Sequence, residues 1–78
     1  MVKRPFDLLN TAVGKNVTIG MKGGKVARGK LLAFDIHMNL VLENCELEET
    51  NANGDIKKTE LKNVFIRGDS LVYLSPNE

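Results

Sequence analysis

The chain has 78 residues, 42% hydrophobic and 27% charged, with a formal net charge of +1. That length allows one domain, over residues 1–78, and the charge excludes coating of nucleic acid by bulk positive potential. One Cys and one His exclude an internal disulfide and a Cys/His zinc site within one chain, and no apolar run approaches the ~18 residues of a membrane span.

Pro5 suits the first turn of a helix, and Phe6, Leu9 and Val13 are spaced for one helical face, so a short helix is expected over about 5–11. Gly14 can end it in a left-handed conformation. The period then changes to two. Val17, Ile19 and Met21 alternate with Asn16, Thr18 and Gly20, the pattern of a half-buried strand. Lys22-Gly23-Gly24-Lys25 is a turn signal. A second strand is expected over about 26–34 and a third over about 40–48. Asn51-Ala52-Asn53-Gly54-Asp55 is a polar hairpin loop. A fourth strand follows over about 56–66, broken at Gly68-Asp69, and a fifth over Leu71-Val72-Tyr73-Leu74.

Three pairs of apolar residues, Leu31/Phe34, Leu42/Cys45 and Leu61/Val64, are three apart where alternation requires an even spacing. Either one member of each pair is exposed, or a bulge or bend lies between them, with Gly29 helping to bend the second strand. Bends in several strands of a meander curl it into a small barrel. The expected fold is mostly β: a short N-terminal helix, then a strongly bent five-stranded antiparallel barrel of SH3-like type.

A chain of this size buries only ~60% of its unfolded surface and usually needs a disulfide, a metal or oligomerisation. The first two are missing within the chain. The last strand carries no charge along Leu71–Leu74, although sheet edges are normally blunted by charge or proline. A neighbouring subunit is the expected cover, by strand pairing.

Two segments carry the functional signal. Gly29-Lys30-Leu31-Leu32-Ala33-Phe34-Asp35-Ile36-His37-Met38-Asn39 and Ile66-Arg67-Gly68-Asp69 together resemble the two signature motifs of the Sm and Sm-like (LSm) family. Motif one covers about 15–48 and motif two about 56–75, and strand order and helix match. The chain is most similar to the archaeal Sm-like proteins, since it lacks Arg-Gly-rich tails and its second motif differs from that of bacterial Hfq. The resemblance implies the Sm fold and a homo-oligomeric ring, usually of seven copies. It also implies binding of uridine-rich single-stranded RNA around the pore, and a role as RNA chaperone or scaffold beside other RNA-processing proteins. It places the base-contacting positions on His37, Asn39 and Arg67, with Asp35, Met38, Gly68 and Asp69 in support. No cofactor, metal or catalytic residue is implied, and the expected location is the cytoplasm, because no signal-type stretch follows Met1-Val2-Lys3-Arg4.

The residue chemistry agrees with that implication. Single-stranded RNA is read by stacking splayed bases on flat groups and by hydrogen bonds to their edges. His37 and Arg67 are flat, and a base between them gains stacking and a cation–π contribution. Asn39 offers one donor and one acceptor face. Asp35 either holds the Asn39 amide in one orientation or merely caps its own turn. Each residue also has a plainer reading, as loop histidine, turn former or surface ion pair. Lys3, Arg4, Lys22, Lys25, Arg28 and Lys30 make the first third basic, for solubility or as a weak auxiliary RNA surface, assigned to Lys3 and Arg4. The glutamates of Glu43–Glu49 are expected to form a solvated face rather than a cation site. Competing classes are an enzyme using Asp35 and His37 with Ser70 or Cys45 as nucleophile, and a structural ring or peptide adaptor. The latter lacks the aromatic residues such grooves use.

Overall fold

The computed structural model describes residues 5–77. Lys3 and Arg4 lie outside the described residues. Helix α1 (Pro5–Thr11) is followed by strands β1 (Asn16–Met21), β2 (Lys25–Phe34), β3 (Leu40–Thr50) and β4 (Ile56–Ile66). A 3-10 turn (Gly68–Ser70) then leads into β5 (Leu71–Pro76). All pairings are antiparallel and the sheet order is β4-β3-β2-β1-β5. No described helix is long and apolar enough to cross a membrane.

The helix packs through Leu9, and Ala12 in the turn after it is also buried. Val13, expected on that face, is 38% exposed. Helical spacing does not govern it, because the helix ends at Thr11 and Val13 already belongs to the turn. Gly14 then reverses the chain at φ +87°. Its N–H donates to the Leu31 carbonyl at 2.7 Å, and the Leu31 N–H donates to the Lys15 carbonyl at 3.0 Å. The helix end is thereby fastened to the middle of β2.

Two of the three odd-spaced pairs are resolved by irregularities in the ladder. Between Arg28↔Glu46 and Lys30↔Glu43, β3 carries one extra residue. That residue is Asn44, exposed and at φ +54°. It lets both Leu42 and Cys45 point inward, at 0% and 2% exposure. Opposite lies Gly29, whose missing Cβ would stand 3.1 Å from both the Cys45 Cα and the Glu43 carbonyl oxygen. A side chain here would press on both, so glycine eases the close approach of the two backbones. Between Leu31↔Leu42 and Ala33↔Val41, β2 carries the extra residue, Leu32, which turns Leu31 and Phe34 to the same side. In β4, Val64 packs against the core, but no register shift separates it from Leu61, so here one member of the pair is the exposed one. That member is Leu61, 37% exposed.

These bends wrap the sheet around Ile19, Leu31, Leu40 and Leu42, all essentially inaccessible. Each such side chain contributes about 1.5–3 kcal/mol on burial. Among the described strands β4 and β5 do not pair with each other, so the barrel is open at both edges. The glutamates of β3 are half-buried rather than freely solvated, and they stand against basic residues. Arg28 contacts Glu48 at 3.2 Å and Glu46 at 3.7 Å. Lys30 stands opposite Glu43, and Glu49 lies between Lys25 and Lys57.

Candidate nucleic-acid interface

Asp35 begins the turn between β2 and β3 and organises it with both oxygens. Its Oδ1 accepts the backbone N–H groups of His37 and Asn39 at 2.9 and 3.0 Å. Its Oδ2 accepts the Asn39 Nδ2–H at 3.0 Å. Capping the turn and holding the amide are therefore not alternatives; each has its own oxygen. The turn is closed by Met38 N–H to the Asp35 carbonyl at 3.0 Å and Asp35 N–H to the Asn39 carbonyl at 3.1 Å. Met38 sits at φ +63°, an uncommon conformation for a side-chain-bearing residue, and is held there by packing on the core.

The second motif meets this turn at Gly68. The Gly68 N–H donates to Asn39 Oδ1 at 2.9 Å. A Cβ on Gly68 would collide with the His37 carbonyl oxygen and stand 3.0 Å from the Met38 carbonyl carbon. Asn39 is thus clamped from two sides that agree. An ionised Asp35 only accepts, so it takes the amide nitrogen; Gly68 N–H only donates, so it takes the amide oxygen. One amide N–H and one lone pair on Oδ1 remain for a ligand.

Arg67 stands beside the clamp. It is 83% exposed by side chain, and its guanidinium contacts Asp69 at 3.1 Å. Its carbonyl accepts Ser70 Oγ–H at 2.8 Å and Ser70 N–H at 3.1 Å, which fix the 3-10 turn. His37 is exposed on the facing turn. The close approach of Gly68 to the His37 carbonyl therefore brings together the two turns that carry these flat groups. Next to them opens a cleft of about 450 Å3, which Asp35, Asn39 and Arg67 share with Ala33, Val41 and Phe65. The last three form a cross-strand line on the outer face. Phe65 is 81% exposed. Sequence reading gave this aromatic no role, although it stands only two residues before Arg67.

Asp35 is held below the 3.8 of an unperturbed aspartate, first by the Asn39 amide, then by the Asn39 and His37 backbone N–H groups. A carboxyl depressed by folding contributes above its unfolded pKa, and loses that contribution as pH falls through the folded one. The clamp therefore holds at any pH above 3.8.

The groups proposed for catalysis do not assemble. Asp35 meets His37 through the backbone N–H. The Ser70 hydroxyl donates to a carbonyl. Cys45 is buried, and burial pushes its thiol above the ordinary 9.0, away from a reactive thiolate. No group of three or more His, Cys, Asp or Glu among the described residues is placed to hold a metal ion.

Comparison with known proteins bears on the whole chain. A family model for the LSM domain matches residues 7–76. An snRNP Sm-like protein of Methanosarcina barkeri is 46% identical over 77 residues, covering 97% of this chain and 100% of the relative. An Sm protein of Pyrococcus abyssii, solved in complex with a uridine heptamer, superposes with a TM-score of 0.82 at 33% identity, over 96% of this chain and 100% of that one. The SmAP1 heptamer of P. aerophilum superposes with a TM-score of 0.81 at 26% identity, over 100% and 99% of the two chains.

Proposed function

The chain belongs to the LSM domain family, and we propose that it assembles into a seven-membered ring that binds uridine-rich single-stranded RNA. In this reading it serves RNA processing in the cytoplasm as a chaperone or scaffold, without chemistry of its own. The carrying observation is the two-sided clamp on Asn39 by Asp35 and Gly68. The uridine heptamer bound by the Pyrococcus abyssii relative and the heptameric P. aerophilum relative support the ligand and the ring. The two unpaired edges, with Val72 63% exposed on β5 and Phe65 on β4, support head-to-tail closure.

The clamp explains base choice. Uracil presents a donor at N3 and an acceptor at O4. The free Asn39 N–H meets O4, and the free lone pair of Oδ1 accepts N3–H. Cytosine in the same pose sets donor against donor and acceptor against acceptor. Groups left unpaired in this way cost ~1–3 kcal/mol, one to two decades in affinity. An unclamped amide would flip and accept either base. Asp35→Ala is therefore expected to bring the oligouridine-to-oligocytidine preference close to one while stacking affinity largely persists, in a ring shown intact by sedimentation. In the wild type the preference should be flat from about pH 5 to 8, since Asp35 stays ionised throughout. Undiminished discrimination in Asp35→Ala would refute the clamp as its source.

A further inference from the structure

The site described above is short of positive charge for a polyanion. Asp35 and Asp69 both lie in it, and the one guanidinium, Arg67, is already paired with Asp69. A nucleobase is neutral and is not repelled by this arrangement. The phosphates that link successive nucleotides are, and they must meet a cation elsewhere.

Most described cations already face carboxylates. Arg28 contacts two glutamates, and Lys25, Lys30, Lys57 and Lys58 each stand opposite one across a strand pair. Lys22 differs. It is exposed at the end of β1 and makes no ion pair among the described residues. Its backbone N–H donates to the Ser70 carbonyl at 2.9 Å, while Ser70 itself is bonded to the Arg67 carbonyl. The Lys22–Gly24 turn is thereby fastened to the 3-10 turn that presents Arg67, Gly68 and Asp69.

We propose that Lys22 is the phosphate-contacting residue of the RNA site, supplying the cation that the base-reading residues lack. The inference rests on the RNA reading of that site. An ammonium on a flexible four-carbon stem suits the task, because it follows a phosphate without demanding one geometry. Such a contact adds affinity without base choice. Lys22 then acts on strands, and the clamp acts on bases.

The test is Lys22→Gln, with oligouridine, oligocytidine and free uridine titrated over a salt series. Each phosphate neutralised on a single strand contributes about 0.7 to the slope of log affinity against log salt. The variant should show a slope shallower by about 0.7 per occupied pocket, weaker binding of both strands in proportion, and unchanged binding of uridine, which has no phosphate. A slope equal to the wild type's overturns the assignment and leaves the RNA reading standing. Equal weakening of uridine and oligouridine at unchanged slope also overturns it, showing that Lys22 only shapes the turn. Wild-type protein that binds no oligouridine removes the RNA reading and this inference together.

Discussion

Val72→Glu is expected to turn an assembly of about 60 kDa, seven copies of an 8.6 kDa chain, into a folded monomer. Val72 is 63% exposed on an edge strand that has no partner on one side, and no charge blunts the segment Leu71–Leu74. A glutamate there would have to be desolvated at the interface, while in the monomer it remains in water. At the other edge, Phe65→Asp should have the same effect, since Phe65 is 81% exposed on β4. In a head-to-tail ring these two substitutions spoil opposite halves of one interface. Each variant alone should sediment as a monomer, and a mixture of the two should form a dimer through the one intact pairing. Binding would report the same change. A single stacked base contributes ~1–3 kcal/mol, which gives millimolar affinity, and a strand gains from many pockets only by effective concentration. The monomer should keep mononucleotide binding and lose the advantage of the longer strand. Val72→Glu protein that still sediments near 60 kDa would exclude β5 from the interface.

Sequence made much of this visible because periodicity is a local signal. Three apolar pairs with the wrong spacing pointed to bends, and Gly29 marked one of them. What spacing could not supply was which strand carries the extra residue. Asn44 and Leu32 bulge on opposite strands of one ladder, and this depends on how β2 and β3 are paired along their whole length. The site shows the same division. His37, Asn39 and Arg67 were legible through residue chemistry and through the resemblance of two motifs. The agreement of Asp35 and Gly68 over one amide was only half legible. Asp35 lies four residues from Asn39, within one turn, whereas Gly68 lies 29 residues away and meets Asn39 only because the barrel curls. The glutamate run of β3 read as a solvated face, but its charges are matched by lysines and Arg28 on the flanking strands, a relation that needs the register. Phe65 went unnoticed for a related reason. Its place on the outer face, in line with Ala33 and Val41, follows only from the register of β2, β3 and β4.

Gly68→Ala is expected to abolish base recognition while leaving the ring assembled. The three nearest contacts of the added methyl are all backbone: the His37 carbonyl oxygen, the His37 carbonyl carbon at 3.1 Å and the Met38 carbonyl carbon at 3.0 Å. No side chain can rotate away to make room, so the two turns must separate. Their separation breaks the Gly68 N–H bond to Asn39 Oδ1 and moves the turn bearing His37 away from the turn bearing Arg67. Asn39 then keeps only its Asp35 contact, and the stacking platform opens. The damage recurs in every subunit of a ring. A loss of even ~1 kcal/mol in each of three occupied pockets lowers oligouridine affinity about a hundredfold. Gly14→Ala is the matched control. At φ +87° with no atom within 4 Å, it pays in backbone strain alone, of order 1 kcal/mol, far from the site. It should lower the urea midpoint and leave oligouridine affinity unchanged. Gly68→Ala should do the reverse, retaining the sedimentation of the ring and losing the RNA. Equal losses of stability in the two variants, with RNA binding preserved in both, would show that the contact between Gly68 and His37 holds the barrel together rather than the base.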